Sequence, residues 1–204
     1  MIFSSDTCVV IAEAGVNHNG SLDTARRLAD HALVAGADYV KYQTFVPSLV
    51  ASTTAPVTAY QSQAGYDTQE AMLSHFVLSD DDHRALKEHC DEIGIGFAST
   101  GHDIDSAGFL EELGQDFVKV GSGDVTNWQL LEVVASYGRP VLLSTGASEW
   151  DDVASTVNFL GNAGLSVSED LVLLQCTSAY PAPTGEANIR VLTSYREVFR
   201  GRVG

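Results

Sequence analysis

The chain is predicted to be an α/β protein on parallel strands: a TIM-type (β/α)₈ barrel truncated after about six βα units. Three observations predict it. Short apolar runs alternate with amphipathic helical segments along most of the chain. The runs are continuously apolar, as in strands buried on both faces, and do not alternate. Each run also ends in a cluster of small polar or charged side chains.

The first strand is read at Cys8–Ala12. The helix after it starts near Ser21 and places Leu22, Ala25, Leu28, Ala29, Ala32 and Leu33 on one face, with Gly36 as its stop. A second strand covers Asp38–Gln43. Residues 45–78 read as loop plus short helix. A helix opened by Ser79-Asp80-Asp81-Asp82 runs to Gly94, its acidic first turn matched to the helix dipole rather than to a metal. Four further strand–helix units follow: Ile95–Ala98 with Asp105–Leu113, Phe117–Val120 with Trp128–Tyr137, Pro140–Leu143 with Glu149–Ala163, and Leu171–Gln175 with Ile189–Phe199. Arg202-Val203-Gly204 looks like the start of a seventh strand. A complete barrel has eight strands and roughly 250 residues, so residues 1–204 read as one incomplete barrel domain. A doubly wound open sheet is the competing architecture.

The strand ends favour the barrel. They carry Glu13 with Asn17-His18-Asn19; Lys41 with Gln43 and Thr44; Ser99-Thr100; Lys119 with Ser122 and Asp124; Ser144-Thr145; and Thr177-Ser178 with Tyr180. A barrel gathers all such ends at one mouth, whereas an open sheet uses two or three at its switch point. Lys41 and Lys119 are two of only three lysines, and each sits inside a strand. A lysine there needs a carboxylate or an anionic ligand. For either lysine alone, an ion pair with Glu13 or Asp124 serves equally well; for both together, an anionic substrate is the better reading. Val120-Gly121-Ser122-Gly123-Asp124 and Leu143-Ser144-Thr145-Gly146 add small residues and hydroxyls that let backbone N–H groups approach an anion. Glu13 and Asp124 are candidates for acid–base work or for binding substrate hydroxyls.

Composition excludes other classes. Twenty-seven acidic residues against 11 Lys plus Arg give a net charge of −16, which argues against nucleic acid and anionic membrane partners. No apolar run approaches the ~18–20 residues of a membrane span, and Met1–Thr7 shows no signal-peptide pattern. Cys8, Cys90 and Cys176 are widely spaced and odd in number, which suggests a reducing, cytoplasmic setting. His31, His83 and His89 fall on predicted helices and read as surface residues, while His18 and His102 lie in strand-end loops. No histidine pair shows helical ligand spacing followed by a third ligand, so no metal site is assigned within the chain.

Five stretches, IAEAGVNHNGSLDTA (11–25), AGADYVKYQTF (35–45), FLEELGQDFVKVGSGDVTNWQLLE (109–132), GRPVLLSTGAS (138–148) and LLQCTSAYPAP (173–183), together resemble the sialic acid synthase family, the N-acetylneuraminate and N-acetylneuraminate 9-phosphate synthases. The resemblance implies condensation of phosphoenolpyruvate with an N-acetylmannosamine-type sugar or its 6-phosphate, with release of phosphate. It implies that Lys41, Thr100, Lys119, Ser122 and Ser144 hold phosphoenolpyruvate. It makes Asp124, where many members carry Glu, the proton-transferring carboxylate, and places Glu13 at the substrate or the attacking water. Gln43, Ser178 and Tyr180 would face the sugar. The related alternatives are a legionaminate, pseudaminate or spore-coat sugar synthase, or a truncated protein that binds without catalysis. The resemblance also implies a divalent metal, Mn²⁺ or Mg²⁺, whose two histidines lie beyond Gly204, as does a C-terminal antifreeze-like domain that acts across a homodimer. The family often has Ser-Thr-Pro-Phe-Asp after its third strand. Here the segment is Ser99-Thr100-Gly101-His102-Asp103, so its backbone is expected to be less fixed.

Overall fold

The structure is a computed structural model that describes residues 3, 8–55 and 66–204. It divides into two compact units, 1–115 and 116–204. The first holds strands β1 (Ile11–Gly15), β2 (Tyr39–Thr44) and β3 (Gly96–Gly101) and helices α1 (Leu22–Val34), α2 (Pro47–Val50), α3 (Gln69–Ser74), α4 (Asp80–Ile93) and α5 (Ile104–Leu113). The second holds β4 (Val118–Val120), β5 (Val141–Ser144), β6 (Leu171–Leu174) and β7 (Arg202–Val203), with α6 (Trp128–Ser136), α7 (Trp150–Asn162), α8 (Val167–Asp170) and α9 (Val191–Phe199). In each unit the neighbouring strands pair in parallel. The strand–helix alternation read from the sequence is therefore present, and the start of a seventh strand is β7. Part of the 45–78 excursion, residues 56–65, lies outside the described residues. Among those described, no helix is long and apolar enough to cross a membrane.

In the first unit, Ala25, Ala29 and Ala32 of α1 meet Val40, Tyr42 and Phe97 of the strands, and Leu86, Cys90 and Leu110 complete the core. The small residues on α1 make room for the Tyr42 ring. That ring stacks on Phe97 with centroids 5.9 Å apart, and its hydroxyl donates to the Ala25 carbonyl at 2.8 Å. Local chemistry sets the helix ends. Ser21 accepts from Thr24 N–H, Ser79 forms a capping box with Asp82, and Gly94 closes α4 in the left-handed region at φ +80°. In the second unit Leu130, Leu131, Leu142, Leu143, Leu160, Leu171 and Leu173 are fully buried, and Trp150, Tyr195 and Phe199 form an aromatic cluster.

Two boundaries depart from expectation. The first strand begins three residues later than read, at Ile11, because Val10 is held by the Asp38 carboxylate and backbone ahead of the regular ladder. The third strand continues through Ser99, Thr100 and Gly101, because each hydroxyl finds a partner on β2. His83 is also buried, not on the surface. It occupies the inward stripe of α4 with Leu86 and Cys90, where hydrogen bonds replace solvent. His31 is exposed, and His89 is half-buried beside Asp30.

The segment after β3 is not loose. The His102 N–H donates to the Thr44 carbonyl, and the Asp103 carboxylate accepts from Val46 N–H, Ser106 N–H and the Ser106 hydroxyl, each at 2.8 Å. Gly101 is required by contact: a Cβ there would lie 2.8 Å from the Ala107 nitrogen and 2.9 Å from its Cα. Gly101→Ala is expected to destabilise the protein by about 1–3 kcal/mol through this overpacking. Gly123→Ala, whose Cβ would meet nothing within 4 Å, is expected to stay within about 0.5 kcal/mol. Urea midpoints of the two variants check both.

A second prediction concerns acid. Burial, reinforced by His83, lowers the pKa of His18 to about 4. The unfolded imidazole ionises near 6.5. Between those values the unfolded chain binds the extra proton. The His18 contribution is therefore complete above pH 6.5 and is lost as pH falls toward 4, with a slope of up to about 1.4 kcal/mol per pH unit. Urea midpoints measured from pH 7.5 to 4.5 should show this slope, and His18→Phe should reduce it, leaving the part that the buried His83 contributes.

Candidate active site

Strand parity builds the site in the first unit. In the parallel register Glu13 pairs with Lys41, Lys41 with Ala98, and Gln43 with Thr100. Paired residues of adjacent strands share a face, so Glu13, Lys41, Gln43 and Thr100 all point to the same side. Tyr42, Thr44 and Ser99 point to the other. Lys41 is 9% exposed, and its Nζ lies 2.6 Å from Glu13 Oε2 and donates to Thr100 Oγ1 at 3.1 Å. Glu13 itself is half-exposed. The register shifts between Glu13 and Gly15, where Gly15 adopts φ +55°. A Cβ on Gly15 would come within 3.2 Å of Glu13 Oε1 and 3.5 Å of Gln43 Nε2. The glycine thus leaves both side chains room beside Lys41. Of the two partners considered for Lys41, Glu13 is the one present.

In the second unit Lys119 pairs with Leu142 and Ser144 with Leu174, so Lys119 and Ser144 share one strand face. Lys119 Nζ donates to the Val120 carbonyl at 2.6 Å. Ser122 and Asp124 lie on a short 3₁₀ turn, Ser122–Asp124, directly after β4. Ser122 Oγ accepts from the Gly146 N–H at 2.9 Å, and Asp124 Oδ1 accepts from Asn127 Nδ2 at 3.2 Å. Gly146 permits a close approach: a Cβ there would lie 2.9 Å from both the Cys176 carbonyl oxygen and Ser178 Oγ. The loops after β4, β5 and β6 therefore meet at Ser122, Gly146 and Ser178. Beside them is a cavity of about 390 Å³, lined by Thr145, Ser148, Cys176, Ser178 and Tyr195 among others. Thr145 Oγ1 donates to the Leu174 carbonyl and accepts from the Tyr195 hydroxyl. Tyr180 is 87% exposed.

The structure thus joins Glu13, Lys41 and Thr100 in one cluster with Gln43 beside it, and joins Ser122 and Ser178 through Gly146 in another. Sequence reasoning named Thr44 and Ser99 at the strand ends but missed two polar groups behind the first cluster, Asp103 and the buried His83. Asp103 had a signal, the Asp-x-x-Ser spacing of a helix N-cap. Among the described residues no group of three or more His, Cys, Asp and Glu could hold a metal ion.

Chemically, each cluster is a set of donors. A lysine ammonium with hydroxyls or backbone N–H groups beside it binds a phosphate or carboxylate, and a carboxylate next to that lysine can exchange protons with a bound hydroxyl or water.

Residues 28–204 match the model of the NeuB family. The chain is 40% identical to the N,N'-diacetyllegionaminic acid synthase of Legionella pneumophila over 98% of its own length and 57% of that protein's. It is 35% identical to the N-acetylneuraminate-9-phosphate synthase of Homo sapiens, over 94% of this chain and 53% of the relative. It spans little more than half the length of these curated relatives. The structure of N-acetylneuraminic acid synthetase from Leptospira borgpetersenii, solved with citrate, superposes with a TM-score of 0.82 at 25% identity, covering 99% of this chain and 68% of that one. The sialic acid synthase resemblance therefore holds, and the chain belongs to the NeuB family.

Proposed function

We propose that this chain forms part of a nonulosonate synthase that condenses phosphoenolpyruvate with an N-acetylmannosamine-type sugar or its 6-phosphate. The observation that carries the reading is the buried Lys41 ammonium, held between Glu13 and Thr100 at a strand end. In this reading Lys41, Thr100, Lys119, Ser122 and Ser144 are the residues that the family resemblance assigns to phosphoenolpyruvate. Gln43, Ser178 and Tyr180 contact the sugar.

The electron flow follows from the substrates. The methylene carbon of phosphoenolpyruvate bonds to the aldehyde carbon of the open-chain sugar, and the aldehyde oxygen gains a proton to become a hydroxyl. Water adds to the adjacent enol carbon, one of its protons passing to a base. Cleavage of that carbon's bond to the phosphate oxygen, with the remaining hydroxyl proton passing to the departing phosphate, then releases inorganic phosphate and leaves a 2-keto acid. Glu13, beside the Lys41 ammonium, contacts the substrate or the attacking water, and Asp124 is the proton-transferring carboxylate. The divalent metal that the family resemblance implies, Mn²⁺ or Mg²⁺, has no ligand set among the described residues; bound to the full-length protein it would supply Lewis acidity toward the aldehyde. Homodimer formation belongs to the same proposal.

The 40% identity to a legionaminic acid synthase supports a second acceptor, the sugar precursor of N,N'-diacetyllegionaminic acid. The full-length protein incubated with phosphoenolpyruvate, Mn²⁺ and each candidate sugar should release phosphate with one of them and stop on chelation. No release with N-acetylmannosamine or its 6-phosphate removes the sialic acid reading. No release with any sugar favours a binding protein without catalysis.

Lysine replacement tests the anion site directly. Lys119→Met and Lys41→Met in the full-length protein are each expected to weaken phosphoenolpyruvate binding at least 100-fold by calorimetry, the order expected when a charge-assisted pair of about 3 kcal/mol is lost. Their circular dichroism should be unchanged. Undiminished binding overturns the assignment.

A further inference from the structure

On the opposite face of β2 and β3 from Lys41 and Thr100, four polar side chains are buried in a line. His83 of α4 places Nδ1 3.0 Å from the Ser79 carbonyl oxygen and Nε2 2.9 Å from Thr44 Oγ1. Thr44 Oγ1 is 2.7 Å from Ser99 Oγ, and the Ser99 N–H donates to Gln115 Oε1 at 3.1 Å. His83, Thr44, Ser99 and Gln115 are 2%, 9%, 0% and 3% exposed.

The direction of each bond follows from one atom. The Ser79 carbonyl can only accept, so Nδ1 carries the proton. In a neutral ring Nε2 then accepts, so the Thr44 hydroxyl donates to it and the Ser99 hydroxyl donates to Thr44. The relay ties the ends of β2 and β3 on the helix side. On the other face the same two ends are tied by Lys41 Nζ and Thr100 Oγ1. Ser99 and Thr100 share a peptide unit, so displacing one displaces the other.

We propose that His83 is a positioning residue: as the neutral Nδ1–H tautomer it aligns the ends of β2 and β3 so that Thr100 Oγ1 stays on Lys41 Nζ, and its protonation releases that alignment. The importance of this alignment for anion binding rests on the function proposed above; the alignment itself does not. Once Nε2 is protonated the ring donates to Thr44 Oγ1, the Thr44 hydroxyl turns to donate to Ser99 Oγ, and the Ser99 hydroxyl loses Thr44 as its buried acceptor, a costly state. The groups facing the ring divide. Asp80 and Asp82 on its own helix and the Ser79 carbonyl favour the cation. His18, from the loop after β1, is itself kept neutral by burial and by His83, and Phe109 of α5 meets the ring edge-on with centroids 5.7 Å apart. Burial outweighs the acids and keeps His83 below its ordinary value.

Nuclear magnetic resonance of the full-length protein, with labelled histidine nitrogens and threonine methyls and without ligand, tests this. His83 should show the Nδ1–H tautomer at pH 7.5. The Thr100 methyl resonance should step with pH at the midpoint of His83 itself, below 6.5. His83→Phe, which keeps an aromatic ring against Phe109, should abolish the Thr100 step. Ser99→Ala should abolish it too while His83 still titrates, which a merely structural role would not produce. An Nε2–H tautomer, or a Thr100 step that survives in either variant, overturns the proposal. A protein that shows the step yet binds no phosphoenolpyruvate supports the relay and overturns only the substrate reading.

Discussion

A lysine ammonium that points from the interior of a parallel strand must be compensated. Leaving it unpaired costs several kcal/mol even after relaxation. Lys41 meets that constraint with the Glu13 carboxylate directly across the β1–β2 ladder and the Thr100 hydroxyl on β3. Much of the first unit is organised around it. The register of three strands brings the partners to one face, and the irregularity at Gly15 keeps Glu13 and Gln43 beside the ammonium. Asp103 and the His83 relay hold the strand ends from behind. Because Glu13 is half-exposed, the compensation is one that an incoming anion can share.

The second unit arranges its donors by the same rule of parity and by close backbone approach. Lys119 and Ser144 share a strand face, while Gly146 lets Ser122 and Ser178 come to one point. The larger groups are set behind this layer. Tyr195 and Thr145 join α9 to the end of β5, and Thr156 donates from α7 to the Val125 carbonyl at 2.6 Å, close behind the turn that carries Asp124. The candidate site residues at strand ends are in this way backed by hydrogen bonds from the helices.

Much of this was legible in the sequence, because period and polarity encode it. Apolar runs closed by hydroxyls and charges marked the strands and their functional ends, and Lys41 was singled out by its place inside a strand. What was not legible depended on tertiary contacts. Ser99 and Thr100 lack strand-like apolarity, so β3 was read as ending at Ala98; their partners on β2 are 55 and 59 residues away. His83 was misread because polarity was taken as exposure, although its spacing to Leu86 and Cys90 follows the buried stripe. The segment after β3 was expected to be loose for want of proline, whereas a side-chain clamp from Asp103 supplies the order that a ring would have supplied.

On the proposed function, the Lys41 ammonium is an anion site whose compensation Glu13 shares with the substrate. A crystal structure of the full-length protein with phosphoenolpyruvate tests it most directly. The account predicts a phosphate or carboxylate oxygen of the ligand within hydrogen-bond reach of both Lys41 Nζ and Thr100 Oγ1. Ligand bound elsewhere, with Lys41 still paired only to Glu13 and Thr100, would contradict it.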